Sequence, residues 1–289
     1  MKKTEWFNDD EFWNEYAPVM FDEKRWSEVS AVADGVTRYA NLNLYGEEGS
    51  KKGKKTSGKP SDGKKPSGIN VVDLCCGFGR ITLELAKRGF IATGVDITES
   101  YLNTAIEDAA NEKQKIEYIK QDVRSFKRKD AFNLAVNLYN SFGYFENPDD
   151  DLLFLKNAHY SLCEGGTLII ELLGKEIAVR DFNEAEWFER AGYMVLTETN
   201  PMDSWASVWN RWILIKNNKH WEKEFVQRLY SASELRKLFF SAGFTHVEIY
   251  GNWEEAPYNH LAETLIVVGR KIPAGKQQSN PKSTGNKKA

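Results

Sequence analysis

Between residues 69 and 177 the chain alternates short apolar runs with amphipathic stretches. The runs 69–74, 91–95, 116–121, 132–138 and 167–173 read as strands, since a strand covered on both faces is apolar along its length. The stretches 80–88, 99–110 and 149–162 read as helices, the first stopped by Gly89. Strands alternating with helices predict a parallel, doubly wound sheet. After 177 the pattern changes. Segments 193–199, 206–215 and 221–230 look like strands with no helix between them, and Asn217-Asn218-Lys219 supplies a turn, which predicts an antiparallel meander. Ser231 with Glu234 three residues on forms a capping box that opens a helix over 231–242, and Gly243 ends it. Strands at 246–250 and 263–268 follow. Ahead of the sheet, Phe12, Trp13 and Tyr16 recur at helical spacing, so residues 4–45 predict one or two helices. No internal repeat is found.

At 289 residues the chain has room for one large α/β domain, or for one domain with an insertion. Residues 46–68 are rich in Lys, Gly and Ser and hold almost no apolar side chain, so burial cannot offset the entropy of ordering them. The organisation that follows is a helical cap over 1–45, a flexible loop over 46–68, a main domain over 69–271 with the antiparallel insertion at 193–230, and a disordered tail over 272–289. The net charge of −3 hides an asymmetry: residues 47–66 carry +4 and residues 271–289 carry +5, which leaves −12 on the remainder. An acidic body argues against a nucleic-acid backbone docking on it, so a nucleic-acid partner is not expected. The lysine-rich segments read as solvated linkers, or as a grip on a polyanion.

No apolar run nears the roughly 18 residues that span a bilayer, and the basic start Met1-Lys2-Lys3 has no apolar stretch behind it, so neither a membrane segment nor a signal peptide is expected and the location expected is cytoplasmic. Cys75, Cys76 and Cys163 cannot build a disulfide framework and lack metal-ligand spacing. No His/Asp/Glu cluster has such spacing either, so a metal-free reaction is expected.

The sharpest motif is Val71-Val72-Asp73-Leu74-Cys75-Cys76-Gly77-Phe78-Gly79-Arg80, which joins an apolar strand to a helix. Gly77 and Gly79 let the backbone turn tightly and approach a ligand, and the helix that follows points its N–H groups at that ligand. Position 82 is Thr where a dinucleotide fingerprint needs Gly, and Gly-Lys-Ser/Thr is missing, so neither a dinucleotide site nor a P-loop fits. Asp73 at the strand end would repel a pyrophosphate and suits a ligand with positive groups. Asp96 ends the second strand, where an acid can accept both ribose hydroxyls. Asp122, after the third strand, can accept from an adenine amino group.

This order of residues resembles the class I S-adenosylmethionine-dependent methyltransferases. Asp73, Gly77 and Gly79 match the first motif of that family, Asp96 its ribose acid and Asp122 its adenine-side acid. Asn137-Leu138-Tyr139-Asn140-Ser141-Phe142-Gly143-Tyr144-Phe145 resembles the fourth motif of a small-molecule subgroup, and the resemblance runs over about 69–271. It implies a Rossmann-like, doubly wound seven-stranded sheet with the last strand antiparallel, here carrying a small antiparallel insertion and N-terminal helices. It also implies S-adenosylmethionine as cofactor, held by Asp73, Cys75, Gly77, Gly79, Asp96, Ile97, Asp122, Val123, Asn137 and Leu138.

The implied reaction is in-line methyl transfer to an N or O atom of a small molecule, for which a protein supplies alignment and desolvation. Tyr139 and Tyr144 are candidates to line the acceptor pocket or orient the nucleophile, and Tyr258 and His260 are candidate bases on the 251–260 loop. His159, His246 and His220 read as structural or solvated. Arg211, on the insertion, could pair with an acceptor carboxylate, or with a neighbouring acid such as Glu224. Asn137-Leu138-Tyr139-Asn140 lacks the prolines of the Asn-Pro-Pro-Tyr motif used on nucleobase amines, and the loop has no Cys for a covalent cytosine mechanism. Trp6, Phe7, Trp13 and Tyr16 could fold over the cofactor as a lid, or pack as a helix on the sheet edge. Two other functions remain open: an RNA or protein methyltransferase that grips its substrate with the lysine-rich segments, and a non-catalytic partner protein that binds the cofactor. A monomer and a homodimer are both compatible with the sequence.

Overall fold

The computed structural model describes residues 5–40 and 68–272. The lysine-rich loop and the C-terminal tail read from the sequence lie outside the described residues, except at their borders.

The main sheet has seven strands: β1 (Asn70–Leu74), β2 (Ile91–Asp96), β3 (Glu117–Lys120), β4 (Phe132–Asn137), β5 (Leu162–Leu172), β10 (His246–Tyr250) and β11 (Leu265–Arg270). Their spatial order is β10-β11-β5-β4-β1-β2-β3. Neighbours are parallel except β11, which runs antiparallel to both β5 and β10. The interior strands are apolar because helices cover both faces: Leu134, Val136, Ile169 and Val268 face one helical layer, and Ala135, Leu168, Ile170 and Val267 the other.

Helices α4 (Arg80–Lys87) and α5 (Glu99–Asn111) lie on one face, and α6 (Pro148–Ser161) and α8 (Ala232–Ala242) on the other. The capping box is formed, with Ser231 Oγ accepting from Glu234 N–H and the Glu234 carboxylate accepting from Ser231 N–H, and Gly243 closes α8 at φ 107°. The N-terminal segment forms three helices where one or two were expected: α1 (Asp10–Met20), α2 (Glu23–Ser27) and α3 (Val29–Ala40). Acids start the first two, since Asp9 accepts from Phe12 N–H and Asp22 from Arg25 N–H. Helix α3 joins α4 on the sheet, with Val32, Ala33 and Val36 in the same core as Ile81 and Leu85.

Strand β5 begins five residues before its expected start at 167. The Gly165-Gly166 pair lies within the strand, where a register shift between β4 and β5 absorbs the extra residues. Gly165, at φ 82°, and Gly166 bond the backbone of Lys271.

The insertion is a separate antiparallel sheet of four strands, one more than expected: β6 (Ala185–Arg190), β7 (Tyr193–Met202), β8 (Ser207–Lys216) and β9 (Lys219–Arg228). Strand β6 and the short helix α7 (Lys175–Arg180) escape the sequence pattern because β6, Glu-Trp-Phe-Glu-Arg after its first residue, is an exposed edge with no clean alternation. The inner face of this sheet packs on α1, where Phe12, Tyr16 and Val19 meet Tyr193, Val195 and Leu214. Arg228 at its end pairs with the fully buried Asp151 of α6.

Candidate functional site

The sheet order places the C-terminal ends of β4, β1, β2 and β3 side by side. Between β1 and α4 the backbone takes left-handed conformations at Cys75 (φ 64°), Gly77 (φ 54°) and Gly79 (φ 68°). The N–H groups of Cys75 and Cys76 both donate to Val95 O, which turns the loop across the end of β2. A Cβ on Gly79 would stand 2.5 Å from Tyr118 Oη and 3.0 Å from Ala105 Cβ, so the close approach of loop and helix needs glycine there.

Asp96 accepts from Gly77 N–H at 2.7 Å and from Thr98 N–H at 2.9 Å. Burial still holds its carboxyl above the usual range. Asp73 accepts from Thr82 Oγ1 at 2.7 Å, and burial pushes its carboxyl up to about 6. Among the described residues no cation forms an ion pair with either acid. Two buried carboxylates that no cation pairs with directly fit a ligand that brings positive charge. Asp122 behaves differently. Burial raises its carboxyl, but bonds from Arg124 outweigh that and hold it low. Arg124 also binds Glu5 and Asp150, so it fastens the N-terminal segment to the rim of the site.

A cavity of about 180 Å3 opens over these strand ends. Cys75, Gly77, Asp96, Ile97, Asp122 and Val123 line it, as do Tyr139 and Tyr144. Asp73, Gly79, Asn137 and Leu138 lie behind this wall. Asn137 is fully buried and donates to Leu74 O, while its Oδ1 has no partner. Thr98, Tyr101, Gln121, Asn140 and Ser141 line the cavity as well, and the sequence reading missed them. They neighbour the acids and tyrosines it did single out.

The roof is aromatic. Trp6, Phe7, Trp13 and Phe21 reach over from the N-terminal segment, and Trp212 and Phe225 from the inner face of the insertion. Trp6 stacks on Phe225 with 4.5 Å between centroids and meets Tyr144 edge-on. The expected lid residues Trp6, Phe7 and Trp13 are therefore at the cavity. Tyr16 is not, being buried against Trp212.

Two expectations are corrected. Tyr258 does not line the cavity; its hydroxyl donates to Glu176 at 3.0 Å. His260 is exposed on its loop, and its backbone carbonyl accepts from Arg180. Of the two partners expected for Arg211 the structure shows the second, neighbouring acids: it faces away from the cavity and is bound by Glu222 and Glu198. His159 packs on Phe244, and His246 sits by Glu248 at the surface.

Residues 71–166 match the family described as methyltransferase domain. Residues 71–166 thus carry a methyltransferase domain, consistent with the class I S-adenosylmethionine-dependent methyltransferases. A putative methyltransferase, YqeM of Bacillus subtilis (strain 168), is 22% identical over 218 residues, 71% of this chain and 85% of its own. An S-adenosylmethionine-dependent methyltransferase from Clostridium acetobutylicum ATCC 824 superposes with a TM-score of 0.67 at 16% identity, over 91% of this chain and 99% of that one. CalS10, an amino pentose methyltransferase from Micromonospora echinaspora, superposes with a TM-score of 0.60 at 14% identity, over 90% and 96%. At such identities the structures show a shared fold. The methyltransferase takes S-adenosylmethionine as its cofactor, and the glycine loop with its two buried acids, neither in an ion pair, suits that cation.

Proposed function

We propose that this methyltransferase acts in the cytoplasm on an amino group of a small molecule, bound beside the cofactor under the aromatic roof. The make-up of the cavity carries the reading. Rings from two separate elements enclose it, which suits a small acceptor better than a polymer. Its titratable groups offer no free base. Asp122 is bound by Arg124, Asp96 by two backbone N–H groups, and burial raises the phenols of Tyr139, to about 12, and of Tyr144. A hydroxyl acceptor needs a base to take its proton, whereas a neutral amine attacks without one. The amino pentose activity of CalS10 supports the same choice.

The cofactor supplies a methyl group already activated by its sulfonium. Asp96 and the glycine loop would hold its ribose and methionine parts. Tyr144, protonated, orients the acceptor. Asn140 Nδ2 lies 3.4 Å from Tyr144 Oη and 3.3 Å from Gln227 Oε1, which ties the phenol to the insertion. The rings exclude water, so solvent does not compete with the amine for the methyl group.

The test is transfer from methyl-labelled S-adenosylmethionine to three pools: small amines including amino sugars, small hydroxyl compounds, and RNA with protein. Label on small amines is expected. Label in the polymer pool that disappears when 46–67 and 273–289 are deleted would replace this reading with the polymer one. Binding of S-adenosylhomocysteine without transfer to any pool would favour a non-catalytic partner.

A further inference from the structure

Tyr144 lines the cavity, but the groups that set the direction of its hydroxyl begin with two backbone atoms. Leu173 N–H donates to Asn140 Oδ1 at 3.0 Å, and the Asn140 backbone N–H donates to Glu171 O at 3.2 Å. A backbone N–H can only donate, so Leu173 turns the Asn140 amide with Nδ2 toward Tyr144 Oη. Gln227, the penultimate residue of β9, is 6% exposed. Its Oε1 accepts from Asn140 Nδ2 at 3.3 Å, and its Nε2 donates to Phe142 O at 3.4 Å. A carbonyl can only accept, so Phe142 fixes the Gln227 amide as Leu173 fixes that of Asn140. Flipping either amide sets donor against donor or acceptor against acceptor. The phenol therefore accepts from Asn140, and its own proton points elsewhere. Among the described residues no group accepts that proton, and burial keeps it on the oxygen.

The end of β9 is also stitched to the Tyr144 loop through the backbone. Arg228 N–H donates to Gly143 O at 2.7 Å, and the Arg228 guanidinium donates to Phe145 O and Glu146 O. A Cβ on Gly143 would stand 2.5 Å from Arg228 O, so loop and strand meet with no room for a side chain. Gln227 itself does not line the cavity, so it reaches an acceptor through the loop alone. We propose that Gln227 is a positioning residue for the methyl acceptor: through Asn140 it holds the Tyr144 phenol as a hydrogen-bond donor into the cavity. The phenol then bonds an acceptor atom other than the attacking nitrogen, whose lone pair has to stay free for the methyl group. The three side-chain bonds are long, at 3.3 to 3.4 Å, which leaves slack for a bound acceptor to take up. The inference deepens the proposed amine transfer and rests on it.

The experiment uses the full chain with S-adenosylhomocysteine bound and its tyrosines labelled with carbon-13 at the ring carbon that bears the hydroxyl. Tyr144→Phe identifies the Tyr144 signal by its loss. Gln227→Met keeps the volume and removes both amide groups. It is expected to shift the Tyr144 signal and to leave the other tyrosine signals in place. Labelled-methyl transfer to small amines gives the second readout. Gln227→Met should lower kcat/KM about 10-fold with S-adenosylhomocysteine affinity unchanged, and the double variant with Tyr144→Phe should be no slower than Tyr144→Phe alone. An unmoved Tyr144 signal, or losses that add in the double variant, overturn the proposal. Should Gln227→Met not fold, Gln227→Asn, which draws the amide back by one methylene, carries both comparisons in the same direction. A wild type that labels no amine removes the amine reading, which is a separate failure, and the Tyr144 signal still decides whether Gln227 holds the phenol.

Discussion

The backbone N–H of Gly77 donates to the Asp96 carboxylate at 2.7 Å, and this bond locks the glycine loop after β1 to the end of β2. The same carboxylate is the acceptor read for the cofactor ribose, so one side chain both shapes the loop and meets the ligand.

Asp96→Ala is expected to weaken S-adenosylhomocysteine by about 1–3 kcal/mol, since it removes charge-assisted bonds and releases Gly77. Calorimetry measures it. Wild-type affinity in the variant would take Asp96 out of the site.

Gly79→Ala forces a side chain into a left-handed residue and against Tyr118. The expected loss of stability is about 1–3 kcal/mol, read from urea unfolding. Adding Tyr118→Phe removes the nearest atom and should restore part of that loss. A double variant no more stable than Gly79→Ala would place the strain in the backbone alone.

Burial lifts Asp73 from near 3.8 to about 6, so the folded chain keeps this proton over a range where the unfolded chain has lost it. Stability from this group therefore falls as pH rises from about 4 to about 6, by up to about 3 kcal/mol, and stays reduced above. Asp73→Asn should be more stable than wild type at pH 7.5, with the difference closing toward pH 4. Asp96 and Glu171 are raised by burial too, but they are present in both proteins, and the difference isolates Asp73. A pH-independent difference would contradict the burial argument. Affinity for the cofactor should move the other way, weakening in Asp73→Asn as a negative charge near a cation is lost.

Arg124 bridges Asp122, Glu5 and Asp150. Arg124→Ala should free the segment around Trp6 and Phe7 and speed its cleavage in limited proteolysis. S-adenosylhomocysteine should then dissociate faster. Unaltered cleavage would mean that the aromatic contacts of Trp6 suffice to hold the segment.

The strand-end acids and the glycine loop were legible because their chemistry is local. Each sits where an apolar run stops, and a parallel sheet brings such ends together whatever the intervening helices do. The roof was half legible. Trp6, Phe7 and Trp13 read as a candidate lid, whereas Phe21 and Met20, which also line the cavity, are not singled out by the pattern. On the insertion, Arg211 and Trp212 are consecutive in a strand and so must face opposite ways. Which of them faces the cavity depends on how the second sheet leans on α1, and the sequence pattern does not say. Only residue type marks Tyr258 and His260 in the sequence. The loop that carries them bonds Glu176 and Arg180 of α7, a helix the pattern did not reveal.

Strand β11 is the last of the described strands to leave the ribosome, yet it lies inside the sheet, between β5 and β10. Until it arrives, β5 and β10 each present an open edge, and the apolar faces of Ile169 and Ile170 wait for Val267 and Val268. The cooperative closing of this sheet thus waits until Leu265–Arg270 has been made. A nascent chain stopped before Leu265 would be a client for chaperones, with strand edges ready to pair with other chains.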